Sequence, residues 1–348
     1  MDSLTVFTEL FPQDRRSFSI ASDILDLELD GRFEINEVPK ALLGHVHDNY
    51  HDLAERFKLT GGDQEINDTN FKFDLALRNS LNWTKLFDPK LDTLENITAS
   101  GYFDNVRDSI YLELSVPQIK YDNLVFDDIL FDVDGKRSFS DLHFEIYHSD
   151  INGQNFEPIE LTGELAGDTL FFEVISTNFT SVFDDLKLNG QFFPLPEKNY
   201  QISFFPSQLV VVKQNWDIAS DNYIRFGENF IETNNFELES GEKRIRINSI
   251  GEKGLTLGLE NISLGLIDDW WDFDKMDFSQ TIDIEVSAGD IFKQEDFNLT
   301  AIADTLEING DDWGRLALTA SLEDLTASTD VYMSVSYTHL TLPTIYSV

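Results

Sequence analysis

Apolar and polar residues alternate at the start of the stretch Leu25–Leu59. Leu25, Leu27, Leu29, Phe33 and Ile35 hold odd positions with Gly31 in phase, and Asp26, Glu28, Asp30, Arg32, Glu34 and Asn36 hold the even ones. A period of two predicts a strand with one apolar and one charged face. From Val38 the period changes. Val38, Leu42, Val46, Tyr50, Leu53 and Phe57 recur three or four apart, which predicts one amphipathic helix near 37–59. Asn36 is the expected N-cap, Pro39 is tolerated in the first turn, and Gly61-Gly62 should end the helix. Short strands are predicted before it, around Leu4–Phe7 and Ser17–Ile20, and an alternating one after it at Phe71–Arg78. Leu81–Leu91 reads as a short helical turn near 82–88, broken by Pro89.

From Ile97 onward the chain is nearly all strand. Ile110, Leu112, Leu114 and Val116 alternate with Tyr111, Glu113 and Ser115, and Pro117 predicts an edge position or a bend. Ile129, Phe131 and Val133 follow, and Asp134-Gly135 carries a hairpin-turn signal. Leu142, Phe144 and Ile146 come next, then Leu170, Phe172 and Val174; later Ile245 and Ile247, then Ile282, Ile284 and Val286, repeat the pattern. No fixed repeat length accompanies it, so regular solenoids and propellers lose weight. Many strands with one apolar face each can stack as a sandwich, close as a barrel or extend as one curved sheet. The pattern alone does not choose among these.

Composition sharpens the class. Of 348 residues 41% are hydrophobic and 29 are Phe, while Cys is absent; aromatic richness favours strands. The formal net charge is -39, from 64 acidic and 25 basic residues spread along the chain. Such a surface repels nucleic acid and anionic headgroups. Its simplest reading is a set of solvated strand faces. The start, MDSLTVFTELFPQDRR, lacks the basic and apolar regions of a secretion leader, so the chain is expected to be cytosolic or an internal piece of a larger protein. The tail Val335–Val348 breaks the acidic pattern. It resembles translated sequencing-adapter read-through and is expected to be non-native, leaving 1–334 as a single elongated segment.

Candidate chemistry is sparse. His45, His47 and His51 form H-x-H-x3-H. His47 and His51 lie one turn apart and are suited to sharing a metal, but solvated helix-face histidines are the expectation, and no metal site is assigned. Asp268, Asp269, Asp272, Asp274 and Asp277 suit Ca²⁺ by charge but lack the glycine and terminal Glu of an EF-hand loop. Trp270-Trp271 within that loop suits sugar stacking or a membrane edge, and a packed turn more simply. There is no G-x-S-x-G, P-loop, G-x-G-x-x-G or H-E-x-x-H. No cofactor and no catalytic residue are expected, and the chain is not read as an enzyme.

Four stretches together resemble one family. LDLELDGRFEINEVPKALLGHVHDNYHDLAERF (25–57), FDLALRNSLNWTKLFDPKLDTLENITASGYFDN (73–105), LSVPQIKYDNLVFDDILFDVDG (114–135) and NWDIASDNYIRFGENFIETNNFELESGEKRIRI (215–247) are similar, in this order, to segments of the AsmA/TamB-like translocation and assembly family of Gram-negative envelope proteins. The Bacteroidetes branch is the nearest in kind. The resemblance implies an elongated, curved antiparallel β-sheet groove in the periplasm. It further implies inner-membrane anchoring and an outer-membrane barrel partner, both engaged through parts absent here. The implied role is shielding phospholipid acyl chains during inner-to-outer membrane transfer and outer-membrane biogenesis. The groove candidates are Leu27, Leu29, Phe33, Ile110, Leu112, Leu114, Ile129, Phe131, Val133, Phe144, Ile146, Leu170, Phe172, Val174, Ile245, Ile247, Ile282, Ile284 and Val286. Two alternatives stay open. One is a scaffold that binds client strands of outer-membrane proteins by β-augmentation. The other is an unrelated extracellular β-sandwich binding module.

Overall fold

The computed structural model describes residues 4–56, 58, 68–78, 88, 90–94, 96–151, 154–156, 158–177, 183–211, 214–264, 278–293, 295–323 and 326–334. The chain is mainly β, as the alternation predicts, and its sheet is antiparallel and not closed into a barrel. It divides into two units, Met1–Lys213 and Gln214–Val348. The predicted turn near 82–88, all but Asp88, lies outside the described residues, as do Gly61-Gly62, the Asp268–Asp277 loop and the tail 335–348.

The first unit holds β1 (Leu4–Leu10), β2 (Arg16–Ser22), β3 (Leu25–Arg32), β4 (Asn70–Leu77), β5 (Leu91–Leu94), β6 (Ile97–Asp104), β7 (Ser109–Tyr121) and β8 (Leu124–Lys136). It continues with β9 (Phe139–Ile151), β10 (Gln154–Phe156), β11 (Ile159–Ala166), β12 (Thr169–Thr177), β13 (Phe183–Leu195), β14 (Asn199–Phe204) and β15 (Gln208–Val211). The pairing is an up-and-down antiparallel meander, β1-β2-β3-β4-β6-β7-β8-β9-β11-β12-β13. β5 extends along β7, β10 along β9, and β14 and β15 divide the length of β13. Among the described residues β1 pairs only with β2, so that edge is free.

Register decides the faces, because side chains on opposed residues point the same way. Leu29 pairs with Phe73, Phe73 with Gly101, Gly101 with Leu112, Leu112 with Val133 and Val133 with Leu142. The same row continues through Gly163, Phe172, Gly190 and Phe204. The apolar phases from Leu29 in β3 to Phe204 in β14 thus fall on one face of the first unit. The opposite face carries the charges of the even positions.

Three local expectations change. The helix between β3 and β4 is two helices, α1 (Val38–Asn49) and α2 (His51–Arg56), because Tyr50 leaves the helical region at φ −138°, ψ 63°. Glu37 rather than Asn36 precedes the first helical residue, with no side-chain cap, and Pro39 sits in the first turn. Asp134-Gly135 is not a turn. Gly135 lies inside β8 opposite Ser140 and Ile110, and the chain reverses at Arg137-Ser138. A Cβ at Gly135 would stand 2.5 Å from the Ser140 hydroxyl and 2.9 Å from an Ile110 methyl, so the glycine serves close packing. Pro117 marks a bend in an interior strand: it lies between the pairing of β7 with β6 and that with β5, facing Asp128, whose φ is +51°. No ladder bond is lost there to the missing N–H.

The second unit holds β16 (Gln214–Ile218), β17 (Tyr223–Gly227), β18 (Phe230–Asn234), β19 (Phe236–Ser240), β20 (Lys243–Ile250), β21 (Gly254–Ser263), β22 (Phe278–Ser279), β23 (Thr281–Asp290), β24 (Glu295–Ile308), β25 (Asp311–Glu323) and β26 (Thr326–Ser334). β19-β20-β21-β23-β24-β25-β26 form its antiparallel meander. Leu238, Ile245, Leu259, Ile284, Ala301 and Leu318 form one of its apolar rows.

Candidate functional site

The candidate site is the apolar face of the first unit. Its cover is uneven. At one end of the strands α1 lies on the sheet. Leu29, Phe33, Ala41, Phe71 and Phe103 form a buried cluster, with Phe18, Leu27, Val38, Leu42, Phe73 and Ile110 packed around it. Phe103, 1% exposed, is its centre: its ring meets Phe71 at 5.7 Å and the His45 ring edge-on at 5.7 Å. Such edge contacts add to the area buried.

Polar bonds continue the helical segment along the same strand ends. His45 Nδ1 lies 2.8 Å from Asp108 Oδ1, and the Asn49 amide donates to the same oxygen at 3.0 Å. The Tyr50 and Ser140 hydroxyls are 2.6 Å apart and buried. The Leu53 amide donates to Asp168 at 3.1 Å, and Arg56 donates to the carbonyls of Asn199, at 3.0 Å, and Leu195. Burial pushes the Tyr50 phenol above its ordinary pKa, against the opposing hydrogen bond to Ser140 and with Asp108 adding to the rise. His45 is therefore a buried packing residue, 6% exposed, where a solvated one is expected from the helix pattern. The phase of His45 in α1 turns it toward Phe103. His47 and His51 face each other at 4.9 Å between ring centres. Among the described residues no group of three or more His, Asp or Glu is arranged to hold a metal.

Among the described residues of the first unit, no helix covers the face beyond α1 and α2. Leu112, Leu114, Ile129, Phe131, Val133, Phe144, Ile146, Leu170, Phe172 and Val174 are all half-buried, although each sits within a strand paired on both sides. The large side chains lie down instead of standing. A Cβ at Gly190 would be 2.7 Å from the Phe172 ring, one at Gly101 2.9 Å from the Phe73 ring, and one at Gly163 2.8 Å from a Leu170 methyl. Each glycine is the floor on which a neighbour's side chain rests. The result is a low, even apolar surface across β7–β13.

Of the groove candidates, Leu27, Leu29, Phe33 and Ile110 join the helix-covered cluster. Leu112 through Val174 lie on the uncovered part. Ile245, Ile247, Ile284 and Val286 are half-buried on the second unit's own apolar face, where Ile282 is buried at 7% exposure.

The opposite face of the first unit is crowded with like charges. Glu28 opposes Asp74, Glu113 opposes Asp132, Asp134 opposes Asp141, and Glu145 opposes Glu160. Like charges directly across a ladder destabilise it. His143 lies between two of these, 2.9 Å from Asp132 and 3.4 Å from Glu160. Arg78 pairs with Asp26 and holds its carboxyl below the ordinary value, chiefly by hydrogen bonding. The Tyr111 phenol is raised, first by its hydrogen bond to Glu113. These groups are exposed and keep the sheet solvated.

The sequence reading missed Asp108, Ser140 and Asp168, which hold the helical segment from 63 to 115 residues away, and Arg56, whose partner Asn199 lies 143 residues on. No local signal announces a partner at that distance. Compared with protein-family models, with curated proteins and with solved structures, the chain matches none.

Proposed function

We propose that the apolar face of the first unit shields phospholipid acyl chains, as in the lipid-transfer groove of an AsmA/TamB-like periplasmic protein engaged in outer-membrane biogenesis. The observation that carries the reading is the uncovered part of that face. Ten Leu, Ile, Val and Phe residues within β7, β8, β9 and β12 stay half-buried where a packed core would bury them. Exposed apolar surface of this continuity is a binding surface far more often than an accident.

The energetics suit the role. Each CH₂ left in water costs about 0.8 kcal/mol, so two long acyl chains cost on the order of 20 kcal/mol. A sheet face removes much of that cost without a specific contact. β7, β8, β9 and β13 are each 13 residues long, roughly 43 Å of strand, longer than an acyl chain needs. A low, even surface offers no deep minimum at which a sliding chain would stall. Transfer of this kind calls for no catalytic group.

The test places photoreactive side chains at Leu112, Phe131 and Phe172, with controls at Glu113 and Asp132 on the other face. Lipid adducts are expected at the first three alone. Equal labelling of both faces would overturn the reading.

One observation favours a second reading, a scaffold that captures client strands by β-augmentation. β1 is exposed along its whole length, with Leu4, Val6, Phe7 and Leu10 each more than half exposed and one edge unpaired among the described residues. Peptide adducts at β1, with none of lipid at Phe131, would favour it.

A further inference from the structure

We propose that α2 is a hinged flap over one end of the apolar face, closed in this structure, while α1 is a fixed part of the sheet's core. The inference rests on the lipid reading for what passes beneath the flap, but not for the hinge itself.

The two helices are held by different physics. α1 is held by packing: Ala41 is buried within the aromatic cluster of Phe33, Phe71 and Phe103, and Val38 and Leu42 lean on it. Such contacts are numerous and are lost only together. α2 contributes Ala54 alone to the buried residues. Its attachments are single polar bonds to turns. Asp168, in the β11–β12 turn, accepts from the Leu53 amide, one of the first-turn donors that no helix of this length can satisfy itself. Arg56 bonds two carbonyls of the β13–β14 turn and lies 4.7 Å over the Tyr200 ring. Between the helices Tyr50 is non-helical, so its backbone can absorb a rotation without breaking either helix.

The face beside α2, reached through Tyr200 beneath Arg56, is apolar. Tyr200 stacks at 5.4 Å on Phe192, and Phe192 shares the apolar face with Leu170 and Ile202. A bound chain running along the strands toward this end meets α2 as a barrier. Each bond that holds α2 shut has a ready replacement in water, since Arg56 ends α2 and Asp168 and Asn199 lie at strand ends. Opening therefore leaves no charge buried, whereas lifting α1 would expose the aromatic cluster.

Two measurements test this. In native-state hydrogen exchange, the amides of Leu53–Arg56 are expected to exchange at least ~10-fold faster than those of Ala41–Val46, through openings that leave α1 closed. Asp168→Ala is expected to speed the first group about fivefold, as loss of one cap would, and to leave the second unchanged. Equal protection, or a variant that loosens both helices together, would overturn the hinge. The second measurement uses the absence of native cysteine. Leu53→Cys with Asp168→Cys, joined by a short bismaleimide, locks the flap. Photoreactive groups at Phe131 and Phe192 then report on phosphatidylethanolamine vesicles. Lipid adducts at Phe131 in both forms, and at Phe192 only in the unlocked form, support the flap. Adducts at Phe192 in both forms overturn it. Adducts at neither position in either form overturn the lipid reading and the flap's role in it, while hydrogen exchange still decides the hinge.

Discussion

Phe103 and Phe131 make the sharpest test of the uncovered face, since they are the same residue type on the same face, on nearby strands of one meander. Phe103 is 1% exposed beneath α1. Phe103→Ala removes a buried ring from between Phe71 and His45 and leaves a cavity that α1 cannot easily fill. Such a change costs about 3–5 kcal/mol. Phe131 touches Phe144 at 6.4 Å between ring centres, but among the described residues of the unit no helix lies above it. Phe131→Ala loses only the part of the ring already out of water, most of the ~1.5–3 kcal/mol of full burial, and water refills the space, so no cavity cost is added. The expected loss is ~1–2.5 kcal/mol. Native-state hydrogen exchange of β6–β9 amides along a urea series measures both in the folded unit. Equal losses from the two substitutions would mean that Phe131 is covered in solution, and the argument for an acyl-chain surface would fail with it.

Other outcomes follow from the same geometry. Gly190→Ala would drive a methyl into the Phe172 ring and the Ser203 carbonyl and should cost ~1–3 kcal/mol. Gly258→Ala in β21 meets nothing within 4 Å and should stabilise by ~0.5 kcal/mol in urea unfolding. Stability should fall above about pH 10. The Tyr50 phenol, raised by burial above its ordinary value of 10.0, binds its proton more tightly in the folded than in the unfolded chain. Its contribution is thus whole below the unfolded value and is lost as pH rises through the folded one. Tyr50→Phe should flatten that alkaline slope, and an unchanged slope would count against the burial argument. His45→Phe should cost less than ~1 kcal/mol by urea unfolding. Its Nε2 is buried without a partner, and Asn49 still satisfies Asp108. A loss near 3 kcal/mol would show that the Asp108 bond matters more than the ring.

The strands were legible because their cause is local. A period of two in Leu25–Gly31 or Leu170–Val174 specifies a face wherever the strand is placed. The single-helix reading failed at Tyr50 for the converse reason. The 3.6-residue period runs through it, yet the buried bond to Ser140 and the pull of Asp168 on Leu53 turn the chain there. Those partners are a serine and an aspartate in unremarkable contexts. Only tertiary placement gives them a role.

A weaker signal was nonetheless present, in the places where alternation breaks. Along β9 the inward phase reads Ser140, Leu142, Phe144, Ile146, and along β12 Leu170, Phe172, Val174, Ser176. A serine in an apolar phase is an unsatisfied hydroxyl unless something answers it. Ser140 is answered by the Tyr50 hydroxyl, and Ser176 by the carbonyl of Pro158. Both stand at the end of an apolar row, Ser140 where Tyr50 is laid against the sheet and Ser176 beside the residue that leads into β11. Gly135, misread as a turn, belongs to the same group, since its missing Cβ makes room for Ser140 and Ile110. The two kinds of phase break thus differ. Gly163 and Gly190 interrupt the apolar phase within the uncovered part, where a neighbour's side chain fills the gap, whereas the serine at Ser140 marks where the chain lays Tyr50 against its own sheet.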